Sequence, residues 1–349
     1  MVRNSGISDP IQRTREMKEI EFTKYTMIRK KQFTTGEMTD ADTVNKIRET
    51  FYAAHTDVPN KALDGLWAVV GPRISQNAGL AQFTLDYHGA ESKYFFPWLK
   101  AVYTSPSEAL EMSYGAGRDL NGTWVERTDT DDPIEGFVCD DPTFVYNRER
   151  QMYVADLVTT LQKKEIRQWA CKIVDLGAGR LAWARWHGFK FDPWRQTIIA
   201  CDKDKTIRPE ELFRFSLEEL GLTYKICDMT EALTSMDCAR ATLVMLGGVA
   251  SYVPMETFTG KIIPAVWQLL KSGGAFFFDL QADCPYLRRS MSIFDWPKMN
   301  FYGTAAETIA VVEKIRKDLW KLGMKFGAEY TLDTYNAVPS SVMVLFTKL

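Results

Sequence analysis

From about residue 167 the chain alternates short, continuously apolar runs with longer stretches whose apolar positions recur at helical spacing. Residues 171–176, 197–201, 223–227, 241–246 and 274–280 read as five strands, the last containing Phe276-Phe277-Phe278. Strands covered on both faces look apolar throughout rather than alternating, because neither side meets water. Residues 256–271 carry apolar side chains at a helical period and stop at Gly273-Gly274, a pair suited to a helix C-cap. Residues 305–322 form a second amphipathic candidate, ended by Gly323. Strands separated by helices need crossover connections, which implies a parallel sheet. The tail differs, since 325–332 and 341–347 are strand-like runs with no helix between them, joined by Asn336-Ala337-Val338-Pro339. Such a pair is expected to be antiparallel, so the sheet should close with one reversed strand.

The first half carries a weaker pattern. Residues 16–31 and 40–54 look helical, the second entered through caps at Thr39-Asp40. Residues 64–100 mix aromatic and turn residues without a clear period, and 119–141 are turn-rich and acidic. The chain therefore divides into an accessory region, 1–150, mainly helical or α+β, and an α/β domain, 151–349. Its 349 residues suffice for two ordinary domains. A net charge of −2 gives no case for a global attraction to nucleic acid or to a membrane surface. Six cysteines lie far apart with no C-x-x-C pair, several inside apolar runs, so neither a disulfide framework nor a zinc site is expected. That usage suits a reducing cytoplasm. The opening MVRNSGISDP has no apolar core and does not read as a secretory signal. No apolar run approaches the roughly 18 residues of a membrane span.

The candidate chemistry begins at Lys172-Ile173-Val174-Asp175-Leu176-Gly177-Ala178-Gly179. A β-branched run ends in an acid and a G-x-G turn follows at once, which sets a carboxylate beside bare backbone at the carboxyl edge of a parallel strand. Ligands bind at that edge in open α/β sheets. Acids recur at the ends of the next two strands, in Ile199-Ala200-Cys201-Asp202 and Ile226-Cys227-Asp228-Met229. After the fourth strand the chain reads Gly247-Gly248-Val249-Ala250-Ser251-Tyr252, and Lys271-Ser272-Gly273-Gly274 precedes the fifth.

In this order, these elements resemble those of class I S-adenosylmethionine-dependent methyltransferases, over residues 165–349. The resemblance implies a Rossmann-like, doubly wound, mostly parallel seven-stranded sheet with an antiparallel last strand, and S-adenosyl-L-methionine as cofactor. It also implies residue roles. Asp175 accepts from the cofactor's ammonium, and free N–H groups around Gly177, Ala178 and Gly179 suit its carboxylate. Asp202 takes the ribose hydroxyls with two acceptor oxygens, with Lys203 beside it. Asp228 accepts from the adenine amino group while Met229 packs on the ring. Gly247 lines the methyl-transfer site. In the stretch 144–153, on the helix before the first strand, Tyr146 and Arg150 reach toward the methionine carboxylate, the alternative being a solvated helix whose arginines face water. For each strand-end acid the plain alternative is a helix cap or turn. The family often has a third small residue in the glycine loop where this chain has Leu181.

A rival reading takes Gly177-Ala178-Gly179-Arg180-Leu181-Ala182 as the dinucleotide fingerprint of an NAD(P)-dependent oxidoreductase, with Asp202 on the ribose. Against it, Asp175 would stand beside a pyrophosphate and repel it. A non-catalytic binding module keeping the methyltransferase fold is a third reading. Methyl transfer from a sulfonium is an in-line displacement with a good leaving group, so positioning and desolvation carry it and a base is optional. Ser251 and Tyr252 are the candidates facing the acceptor, though either can equally be packing. The 247–252 segment lacks the Asn-Pro-Pro-Tyr and Asp-Pro-Pro-Tyr signatures suited to nucleic-acid bases. With no basic stripe, a small-molecule acceptor is expected. His187 sits in an aromatic group with Trp183, Trp186, Phe189, Phe191 and Trp194, read as packing a helix and loop against the sheet. The acids Asp129, Asp131, Asp132, Asp140 and Asp141 read as a solvated loop rather than a metal site.

Overall fold

The structure is a computed structural model that describes residues 39–78, 80–81, 84, 100, 104, 117–118, 124–125, 142–165, 171–186, 191–235, 238–283, 287, 299–338 and 341–349. The expected helix at 16–31, the acidic group at 129–141 and His187 lie outside these residues. Helix α1 (Ala41–Ala54) starts where the sequence places it, with Asp40 accepting from the Thr43 N–H at 2.8 Å as its N-cap. It packs on α2 (Asn60–Gln76), with the rings of Phe51 and Trp67 stacked at 6.2 Å. Residues 117–118 and 124–125 form a two-residue antiparallel ribbon. Helix α3 (Pro142–Glu165) then leads into the sheet and runs straight through residue 150, where the two regions divide by sequence.

The sheet has seven strands: β1 (Cys171–Leu176), β2 (Gln196–Asp202), β3 (Leu222–Ile226), β4 (Ala241–Leu246), β5 (Leu270–Gln281), β6 (Tyr330–Val338) and β7 (Ser341–Lys348). Their spatial order is β3-β2-β1-β4-β5-β7-β6. Every pairing from β3 across to β5 is parallel, and β7 runs antiparallel to both neighbours. The order reverses between β1 and β4, which opens a crevice at their carboxyl ends. There Asp175 stands level with Ala200 of β2 and Met245 of β4.

The β5 phenylalanines show how both faces are filled. Phe276 and Phe278 point to one side, where Phe258, Ile262, Val266 and helix α7 (Ala305–Lys321) cover them. Phe277 points to the other, 5.4 Å from the ring of Tyr153 on α3. Side chains alternate sides along a strand, so a continuous apolar run needs cover on both faces.

Two stretches differ from the sequence reading, 256–274 and 325–338. The 256–271 stretch is not one helix ending at Gly273-Gly274, but a turn of helix (Met255–Thr257), a π-turn (Phe258–Ile262) and α6 (Ile263–Leu269). Pro264 has no N–H to donate to the preceding turn, and the widened turn before it accommodates that loss. The glycines instead lie inside β5, at an irregular register between Ala241 and Leu243. A Cβ on Gly274 would lie 2.8 Å from the Ala241 carbonyl oxygen, so the pair marks a bulge in the strand, not a cap. The strand expected at 325–332 begins only at Tyr330. Lys325 to Glu329 instead form a turn closed by the Glu329 N–H on the Lys325 carbonyl at 2.8 Å, through Gly327 at φ +76°. At its other end β6 runs on through Asn336, Ala337 and Val338, which the sequence assigns to the connection. Helix α7 carries a full capping box, Thr304 with Glu307, and ends as expected before Gly323.

Candidate active site

Asp175, one residue from the end of β1, is 5% exposed, and its Oδ2 accepts the indole N–H of Trp183 at 2.9 Å. Burial pushes its carboxyl from 3.8 up to about 7. The Trp183 hydrogen bond opposes that rise, the negative charge of Asp202 adds to it, and the Arg150 guanidinium opposes it.

The loop after β1 turns on two left-handed glycines, Gly177 at φ +76° and Gly179 at φ +53°. A Cβ on Gly177 would lie 2.6 Å from Cγ2 of Val249, so the loop lies against the segment after β4 as closely as backbone permits. Its N–H groups are not free, which corrects the sequence reading. Those of Gly177 and Ala178 both donate to the Cys201 carbonyl at 2.9 Å, and that of Gly179 donates to Asp202 Oδ2 at 2.8 Å. The physical reason is that the loop folds back over the end of β2, where the Cys201 carbonyl and the Asp202 carboxylate take its donors. Tyr224 on β3 fastens the loop further by donating its hydroxyl to the Gly179 carbonyl.

At the third loop position Leu181 keeps a left-handed backbone, φ +55°, although it is not glycine. That conformation costs roughly 1–2 kcal/mol, and burial of a leucine side chain contributes roughly 1.5–3 kcal/mol, so the side chain, 1% exposed, offsets the strain. Its carbonyl accepts from Ala184 and Arg185 and starts α4 (Ala182–Trp186).

Asp202 is half-buried and each carboxylate oxygen already accepts one backbone N–H, Oδ2 from Gly179 and Oδ1 from Asp204 at 2.9 Å. One lone-pair direction per oxygen remains. Asp204, two residues further on, spends Oδ1 on the N–H and hydroxyl of Thr206. Asp228 caps α5 (Met229–Ser235) by accepting from the N–H and hydroxyl of Thr230 at 2.9 and 2.6 Å, which hold its carboxyl below the usual range, with a smaller push from nearby Lys203. The turn-forming alternative therefore describes part of what both acids do. Lys203 is exposed and Met229 packs half-buried on the core.

On the other side of the crevice the structure reveals a residue the sequence reading passed over. Asp279 on β5 is fully buried and accepts four hydrogen bonds. Oδ1 takes the Gly248 N–H, and Oδ2 takes the Tyr146 hydroxyl at 2.7 Å, Arg150 Nη1 at 3.2 Å and Gln281 Nε2 at 3.1 Å. The sequence signal was present, since Phe276-Phe277-Phe278-Asp279 repeats the pattern of an apolar strand ending in an acid. Arg150 is 5% exposed, so the water-facing alternative for this helix does not hold at that position. Its guanidinium lies against the glycines after β4, where a Cβ on Gly248 would come within 2.7 Å of Nη1 and one on Gly247 within 3.5 Å of Nε. Tyr146 is spent internally, accepting from the Ser341 hydroxyl at 2.8 Å while donating to Asp279.

Ser251 is buried, and its hydroxyl accepts the Gln281 N–H at 2.9 Å, tying the segment after β4 to the end of β5. Tyr252 is 41% exposed. Burial of its hydroxyl end is the main cause that pushes the phenol up to about 12, with Arg150 and Asp279 exerting smaller, opposite effects. Of the aromatic group expected to pack on the sheet, Trp183 and Phe191 do so in one cluster, Phe191 meeting Phe213 edge-on at 5.1 Å, whereas Trp194 stands 93% exposed in the turn before β2. Among the described residues no three His, Cys, Asp or Glu side chains are grouped to hold a metal, and no helix is long and apolar enough to cross a membrane.

The strand order with a single reversed strand beside β5, together with the glycine turn after β1, gives the chain a class I methyltransferase-like fold. No protein-family model and no curated protein sequence matches the chain. By structure it is similar to a possible exported protein from Bordetella parapertussis, at 16% identity and a TM-score of 0.50, over 88% of this chain and 95% of that one. Magnesium protoporphyrin IX methyltransferase from Synechocystis, with bound SAM, aligns with 58% of this chain and 82% of its own at 13% identity and a TM-score of 0.37. The N-methyltransferase NodS from Bradyrhizobium japonicum aligns with 58% of this chain and 97% of its own, at 14% identity and a TM-score of 0.33.

Proposed function

We propose that this chain transfers a methyl group from S-adenosyl-L-methionine to a small-molecule acceptor. The observation that carries the proposal is a buried carboxylate, Asp175, one strand away from a second, Asp202, beside a glycine cradle at the switch point of the sheet. The donor set suits that cofactor. Asp175 is an acceptor for an ammonium in a site closed to water, and Asp202 keeps one free lone-pair direction on each oxygen for two ribose hydroxyls. Asp228 and Met229 edge the adenine position, with Lys203 outside them. The N–H groups of Gly177, Ala178 and Gly179 are taken, so we assign the methionine carboxylate to Arg150, which lies beside Gly247 and Gly248 while paired with Asp279, and Tyr146 braces it through Asp279. When bound, the cofactor supplies an electrophilic methyl on a sulfonium leaving group. Every other contribution comes from the chain, which orients the acceptor and excludes water at the crevice. Tyr252, protonated at neutral pH, serves as a hydrogen-bond donor at the mouth and not as a base, and the Ser251 hydroxyl holds the loop in place.

The nicotinamide reading draws no support from this loop. Asp175 stands where a pyrophosphate would need positive potential, and the N–H groups that would cradle phosphates point into β2. Calorimetric titration with S-adenosylmethionine, S-adenosylhomocysteine and NAD decides between them. Binding of NAD without the first two would overturn the proposal. Radiolabelled methyl transfer across an acceptor panel then separates an enzyme from a binding module that keeps the fold.

A further inference from the structure

We infer that Trp183 is a positioning residue for the cofactor site, its indole N–H fixing the Asp175 carboxylate where it meets the cofactor's ammonium. This rests on the cofactor reading above. Three observations support it. The indole nitrogen is 2.9 Å from Asp175 Oδ2, with both side chains buried, at 2% and 5% exposure. Trp183 is placed there by a strained piece of backbone. Leu181, left-handed at φ +55° and buried, turns the chain at once into the five-residue α4, and this brings the second helical residue back beneath the strand end. The turn that buries the Leu181 side chain thus also sets the Trp183 indole N–H against the Asp175 carboxylate. Finally, the surroundings make the carboxylate need a donor. Asp202 at the end of β2 repels it, and the neighbouring Cys201 thiol and Tyr224 phenol, both held protonated by burial, add no positive charge. Arg150 on α3 is the cation that faces it, and that guanidinium is paired with Asp279.

Without the indole N–H, the acid would hold its proton to higher pH, and a neutral carboxyl is a poor partner for an ammonium. The effect on ligand affinity is therefore pH-dependent, which a packing role would not produce. In the wild-type full-length chain, S-adenosylhomocysteine affinity should rise with pH and level off above about 7, as Asp175 ionises. In Trp183→Phe, which keeps a large ring and removes the donor, the midpoint should move up by about one pH unit, so affinity falls about fivefold at pH 7 and about tenfold at pH 6 and below. The two curves should draw together near pH 8.5. Trp183→Phe in the Asp175→Asn background should produce no further pH shift. A Trp183→Phe curve parallel to wild type, or one with an unmoved midpoint, overturns the inference while leaving the cofactor reading intact. Failure of the wild-type chain to bind the ligand at any pH overturns both. Should Trp183→Phe not fold, the wild-type chain with nitrogen-15-labelled indole supplies the test. The Trp183 N–H resonance should titrate with the midpoint of Asp175 and lose that titration in Asp175→Asn, and a resonance indifferent to both overturns the inference.

Discussion

Asp175→Asn should stabilise the ligand-free protein, and more so at higher pH. An ordinary aspartate in the unfolded chain ionises near 3.8, while burial holds the folded Asp175 protonated to about 7. Between those values the native state binds the extra proton, so stability falls as pH rises through the window and is flat above it. A shift of about 3 units, at about 1.4 kcal/mol each, amounts to roughly 4 kcal/mol once both states are ionised. Near pH 5 the unfolded chain is already ionised and roughly 2 kcal/mol of that cost is present, and by pH 8 nearly all of it is. Asparagine has no charge to bury, and its carbonyl oxygen can still accept from Trp183. The stability advantage of Asp175→Asn over wild type should therefore widen by roughly 2–3 kcal/mol between pH 5 and pH 8. Urea unfolding at the two pH values measures it, provided the m-values of the two proteins agree. An advantage that stays constant across that range would show that Asp175 ionises in the fold as it does in the open chain, and the account of its burial would be wrong. The same substitution should weaken S-adenosylmethionine binding, so this position trades stability for function.

Three further outcomes follow from the site. Asp202→Ala removes two acceptor oxygens and should weaken S-adenosylmethionine binding about tenfold or more by calorimetry, since hydrogen bonds to charged groups contribute roughly 1.5–3 kcal/mol; an unchanged dissociation constant would mean the ribose acid lies elsewhere. Gly177→Ala meets Val249 Cγ2 at 2.6 Å with φ at +76°, so it should lower the melting temperature and abolish cofactor binding. Adding Val249→Ala clears the contact but not the backbone strain, and full recovery in that double variant would contradict the argument from φ. Asp279→Ala strands the buried Arg150 charge and should cost roughly 3–5 kcal/mol in denaturant unfolding, whereas a loss below about 1 kcal/mol would show that the guanidinium finds water or another partner.

Much of the fold was legible because burial writes itself into composition. The edges of β1 and β4 fall at the expected residues, since each is an unbroken apolar run bounded by polar or glycine positions. The boundaries that slipped are those where one local signal has two meanings. Gly273-Gly274 reads as a helix stop, but a glycine pair serves equally as a bulge, and only the Ala241 carbonyl pressing on Gly274 distinguishes them. The site shows the same division. Asp175, Asp202 and Asp228 were visible as acids closing apolar strands, because strand ends at the carboxyl edge are fixed by periodicity. Asp279 follows an apolar run in the same way, two residues before the end of its strand, yet nothing in the sequence says that Tyr146, more than a hundred residues earlier, meets it.

Sequence alone settled that a parallel sheet with one reversed strand exists and that the glycine turn after Asp175 sits at its carboxyl edge. Hydrophobic period and glycine spacing are local properties, readable one window at a time. Tertiary structure decided where the hydrogen bonds go: the loop N–H groups turn inward to Cys201 and Asp202, Arg150 on α3 pairs with Asp279 on β5, and Trp183 meets Asp175. A donor's partner depends on which chain segments pack together, and with it the charge state of Asp175, on which the proposed chemistry depends.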